Sequence, residues 1–249
     1  MATATMPQRS TAFIGRRTDN YFFSGMALLL MATVFVGFAR TYFLAGVFRA
    51  PLPSVLVHLH GAVFTCWILL LVTQTSLVSA GRVDIHRKLG LAGFGVACLM
   101  VILGVLTASK LLARDVSPVP AFDAKTFYVI PMSDMLVFAV LILFAYLYRS
   151  NPAAHKRLIL ISTIALMDAP TGRPPFAAIT NHQSFDSIFC LAFLLLLVGY
   201  DLWSRRKAHR ATIFAGLLMI IAEQVRVPIG MSAGFHAFAT WAQHVARSV

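Results

Sequence analysis

The sequence predicts an all-α, polytopic membrane helix bundle of about seven transmembrane helices, and three observations predict it. Hydrophobic residues make up 59% of the 249 positions and charged residues only 12%, with a mean hydropathy of +0.78. Such values lie far outside the range of soluble domains. Apolar segments at 21–46, 54–79, 88–112, 126–148, 156–178, 184–203 and 210–230 reach or approach the roughly 20 residues that cross a hydrocarbon core. The connections are short, so 21–230 forms one transmembrane domain between a tail at 1–20 and a C-terminal segment at 231–249.

The tail carries Arg9, Arg16 and Arg17 but no apolar core, which argues against a cleaved secretory signal. A twin-arginine signal and a transit peptide are the weaker alternatives. The distribution of basic residues sets the orientation. Arg9, Arg16, Arg17, Arg82, Arg87, Lys88, Arg149, Lys156, Arg157, Arg205, Arg206, Lys207 and Arg210 fall on one side. Arg40, Arg49, Lys110, Arg114, Lys125, Arg173, Arg226 and Arg247 fall on the other. The N-terminus is therefore expected in the cytoplasm and the C-terminus outside, in a bacterial inner membrane. The net charge of +12 is assigned to loops that meet anionic lipid headgroups rather than to nucleic acid.

The first segment ends near Arg40. The second opens on "HLHGAVFTCW", where His58 and His60 lie two apart. On a helix such residues point about 200° away from each other, so they cannot share an ion. His60 is taken as the inward member, on a stripe with Phe64, Trp67, Leu71 and Gln74. The third segment carries Gly90, Gly93 and Gly95, small residues that permit close helix contact. In the fourth, Pro131 precedes Asp134. In the fifth, "MDAPTGRPP" sets Pro170, Gly172, Pro174 and Pro175 after Asp168, so that helix must break within the membrane. The sixth is nearly featureless and is expected to face lipid. The seventh holds Glu223 and Arg226 three apart, on one helix face. The segment at 231–249 is amphipathic and is expected to lie in the outer interface.

At a rise of about 1.5 Å per residue, His60 and Asp134 lie about 9 and 12 Å below the outer surface, and Asp168 and Glu223 roughly 10–15 Å. Charged residues at such depth mark a bundle interior or a site. His60, Asp134, Asp168 and Glu223 are therefore the candidate catalytic and metal-binding set. Arg40, Arg173, Arg226 and Gln74 are the candidate substrate-binding residues around it. One imidazole and three carboxylates suit a hard or borderline metal ion or a proton relay. Haem b is the alternative cofactor, with His58, His60 and Met132 as outer ligands and His86 and His155 as inner ones. His86, His155 and His209 each stand beside Arg or Lys at a cytoplasmic helix start, which equally suits contact with headgroups. Cys66, Cys98 and Cys190 form no spacing motif and are expected to pack.

The stretch "HLHGAVFTCWILLLVTQTSLVSAGRVDIHRKLG", with "NPAAHKRLILIST" and "YDLWSRRKAHRAT", resembles a family of bacterial multipass inner-membrane proteins with no assigned activity, over about residues 35–230. That resemblance implies the fold and carries over no functional residue. The "HRKLG" element alone is similar to short segments of diheme b-type membrane cytochromes. The expected function is a metal- or haem-dependent redox protein or enzyme acting on a lipophilic substrate. A proton-coupled small-molecule carrier and a structural or assembly protein are the alternatives.

Overall fold

Each connection in the chain is closed by a local device that the sequence dictates. The computed structural model describes the backbone of residues 9–51, 53–173 and 188–248, with side chains from residue 17 onward. Helix α1 (Arg9–Phe38) continues into one π-helical turn at Ala39–Phe43. It begins inside the predicted tail, because nothing at 9–20 breaks a helix. Helices α2 (Val55–Ser79) and α3 (Val83–Ala113) are joined through Gly81, whose φ of 74° is open to glycine at little cost.

Asp123 caps α4 (Ala124–Leu147), its carboxylate accepting from the backbone of Lys125 and Thr126 at 2.9 and 3.0 Å. The Thr126 N–H in particular holds that carboxyl below the usual carboxylate range. Asn151 caps α5 (Pro152–Ile164), with Pro152 in the first turn, where its missing N–H costs nothing. His209 caps α8 (Arg210–Gly230) by accepting from the Ala211 N–H at 3.1 Å. Burial pushes its imidazole below the usual histidine range, which suits a neutral ring that accepts.

Among the described residues six helices are long and apolar enough to cross a membrane: Arg17–Phe43 of α1 with its π turn, α2, α3, α4, α7 (Ile188–Arg205) and α8. The chain is thus a multipass membrane helix bundle. The predicted fifth span differs. It is the 13-residue α5, then a break, then the single turn of α6 (Asp168–Thr171). Pro170 has no N–H to offer the Leu166 carbonyl. The chain instead tightens, with Leu166 and Met167 donating three residues back to Thr163 and Ile164. Pro174 and Pro175 lie outside the described residues, as does His182.

Helix α5 is the central helix. Ala154, Arg157, Leu158 and Leu160–Ile164 are all buried, and Thr163 accepts from the indole N–H of Trp67 at 3.1 Å. Trp67 in turn meets Phe138 edge-on at 5.4 Å. Helix α7 buries the face of Cys190, Phe193, Leu194, Leu197, Tyr200 and Asp201, so it is not the featureless outer helix that its sequence suggests. Helix α6 packs so closely on α1 that a Cβ on Gly37 would overlap the Pro170 carbonyl, and this contact holds the break in place.

At the face where α1 begins, the amino face, two ion pairs knit the bundle. Lys156 meets Asp19 at 2.6 Å, and Asp19 also accepts from Tyr200 at 2.6 Å. Arg157 pairs with Asp201, both fully buried, and Asp201 further accepts from Thr212 at 2.6 Å and the His209 N–H at 3.0 Å. At the opposite, carboxy face, α9 (Ala233–Ser248) crosses the ends of α3 and α4. Gln243 donates to the Leu112 carbonyl at 2.8 Å, and His236 meets Thr126 at 3.0 Å. Phe238, Trp241 and Val245 remain exposed along it, an apolar side that fits the predicted interfacial role.

Candidate functional site

The break in the fifth segment releases Asp168 into the bundle, where it meets two other helices. Arg226 of α8 sends Nη1 to Asp134 of α4 at 3.0 Å and Nη2 to Asp168 at 2.5 Å. The three side chains are only 8, 17 and 10% exposed. A planar guanidinium suits this bridging, because its donors fork towards two carboxylates at once. Cys190 of α7 places Sγ 3.0 Å from Oδ1 of Asp168 and 3.3 Å from the Ile164 carbonyl at the break. Glu223, one turn before Arg226, lines a cavity of about 10 Å³ with Ser133, Asp134, Val137, Ala165, Met219, Ala222 and Arg226. That volume holds a single water.

Three of the four predicted catalytic residues, Asp134, Asp168 and Glu223, therefore converge. Arg226, expected at the rim, sits at the centre, where its nitrogens bridge Asp134 and Asp168 and its charge also acts on Glu223 of its own helix. His60 is not among the residues that line the cavity. Its ring stacks on Phe64 at 4.0 Å between centroids, beside the Leu103 backbone of α3, and its buried Nδ1 has no partner among the described residues. Rise along a helix gives depth but not azimuth, and His60 is turned towards the Leu103 backbone of α3.

The other predicted residues are dispersed. Arg40 is exposed, with its guanidinium 5.2 Å from the Phe48 ring. Arg173 donates to the Ala169 carbonyl and lies over Phe38 at 4.4 Å. Gln74 is at the amino face, donating to the His86 carbonyl at 3.3 Å, and so cannot serve His60. His58 is exposed beside Tyr42, while Met132 packs with Ala108, Leu112 and Tyr128. His58 and Met132 thus stand in different surroundings. His86 and His155 do come together, with ring centroids 6.5 Å apart.

One residue of the centre escaped sequence reasoning. Cys66 and Cys98 are exposed, but Cys190 is buried against Asp168 and belongs to the centre rather than to plain packing. It sits in an apolar run with no local signal. One ligand atom each of Asp168, Cys190 and Glu223 lies within 4.8 Å of the others, so the trio that could hold a metal ion is not the predicted one.

Fold and centre together define a multipass membrane helix bundle built around a buried ionic cluster. No protein-family model, curated protein or solved structure matches the chain.

Proposed function

We propose that the protein is a proton-coupled carrier of small molecules in a bacterial inner membrane, with the amino face in the cytoplasm and the polar centre in the outer half of the bilayer. One observation carries this reading: Asp134, Asp168 and Glu223 converge on the single guanidinium of Arg226 in the bundle interior. Fully ionised, the cluster has an excess of two negative charges. A low-dielectric interior does not hold such an excess, and carboxyl groups relieve it by binding protons. The cavity beside Glu223 and Asp134 has room for one water that could pass them on. Broken helices are where transporters place their binding sites and their moving parts, and Asp168 stands at such a break. The bias of Lys and Arg towards the amino face supports the orientation.

A second reading, a metal-dependent membrane redox protein or enzyme acting on a lipophilic substrate, is favoured by the Asp168, Cys190 and Glu223 trio. One divalent ion relieves the same charge excess as two protons. Proteoliposomes containing a trapped pH indicator distinguish the two. When a panel of small solutes is offered, the carrier reading expects solute-driven proton movement that falls at least tenfold in Asp168→Asn. A stoichiometric metal in the purified protein, with no proton movement for any solute, rejects the carrier and favours the metal reading.

A further inference from the structure

At the amino face, away from the polar centre, several buried polar atoms have no role in the proposed carrier. His86 near the start of α3 and His155 near the start of α5 bring their rings to 6.5 Å between centroids, at 86° to each other. The Nδ1–H of His155 donates to the Ala145 carbonyl of α4 at 2.8 Å. A carbonyl has no proton to give, so this contact fixes the neutral tautomer and leaves the lone pair on Nε2. Hydrogen bonds of this kind orient the histidines that ligate metals. Nδ1 of His86 is buried without a partner among the described residues, and so is Oε1 of Gln74. The Gln74 amide nitrogen is meanwhile anchored on the His86 backbone, which keeps that side chain beside His86.

The basic residues next to the two histidines do not oppose a cation there. Lys156 is neutralised by Asp19 and Arg157 by Asp201, while Arg87 and Lys88 are exposed. Metal–imidazole bonds are about 2 Å long, so rings at this spacing reach one metal centre when they bind it from nearly opposite sides.

We infer that His86 and His155 form a metal site at the amino face, ligating a late transition metal through imidazole nitrogen, with Gln74 positioned as a further oxygen donor. A free ion such as Zn²⁺ or Cu²⁺ and a haem iron present the same chemistry to these nitrogens.

Two titrations of the full-length protein, freed of bound metal with a chelator, separate the sources. One uses Co²⁺, read by its visible ligand-field bands, and the other uses hemin, read by its Soret band. The expected result is one equivalent bound in one arm, with affinity reduced at least tenfold in His86→Gln and in His155→Gln and unchanged in His244→Gln, whose residue is exposed. Binding in the first arm identifies a free-ion site and in the second a haem site. His155→Gln also removes the Ala145 contact and bears on folding. His86→Gln is the cleaner variant, since it leaves the Ala145 contact in place and costs at most the approach of the His86 ring to the Gln74 backbone. Absence of binding in both arms, or equal affinity in wild type and His86→Gln, overturns the site.

Discussion

Asp201→Asn is expected to destabilise the protein by about 3–5 kcal/mol, the usual cost of removing one partner from a buried ion pair. Arg157 and Asp201 are the most deeply buried ion pair among the described residues, and together they hold α5, α7 and α8 at the amino face. The two partners are not equivalent. A guanidinium does not lose its proton inside a protein, so Arg157 left without Asp201 stays charged. A carboxyl left without Arg157 can take up a proton, and Thr212 and the His209 N–H still donate to it. Arg157→Met is therefore expected to cost less than Asp201→Asn, and the double variant less than the sum of the two. Thermal unfolding in detergent measures all four proteins. Equal single effects that simply add would contradict the coupling.

Arg226→Gln is expected to abolish proton-coupled movement, by tenfold or more, with a smaller loss of stability than Asp201→Asn. The same asymmetry gives the reason. Removing the cation leaves only carboxyl groups, which unlike a guanidinium are not obliged to stay charged, so the fold is expected to survive while the fork that joins Asp134 to Asp168 is lost. Arg226→Lys restores a charge but not the fork that reaches two carboxylates, and its rate is expected between those of wild type and the glutamine variant. Asp134→Asn combined with Arg226→Gln lowers the number of competing acids and is expected to recover stability without function. Unchanged transport in Arg226→Gln would remove the guanidinium from the mechanism.

Depth along a helix is legible in a sequence, and it located most of the centre. Asp134, Asp168 and Glu223 share a height because each stands a countable number of residues from a membrane edge. The break after α5 is legible for a similar reason, since Pro170 cannot supply the bond that the Leu166 carbonyl needs. Direction around the helix axis is much less legible when apolar residues surround the whole circumference. His60 turns towards α3, where its ring lies beside the Leu103 backbone, and nothing in the apolar run around it gives that direction.

Arg157 and Asp201 show the complementary failure. Both stand at segment ends, where composition assigns charge to the headgroups, and nothing local says that two such ends fold against each other. Cys190 carries no pattern at all, and only the meeting of α7 with the break brings its sulfur to Asp168. The amphipathic face of α9 is legible, but not its docking across α3 and α4 through Gln243 and His236.

The central claim is that the cluster around Arg226 stores protons at neutral pH. Infrared absorption of protonated carboxyl groups in the purified protein tests it most directly, with Asp134→Asn and Asp168→Asn beside wild type. The account predicts a protonated-carboxyl band at neutral pH in wild type that weakens in at least one of the two variants. A wild-type spectrum with every carboxyl ionised at neutral pH would contradict it.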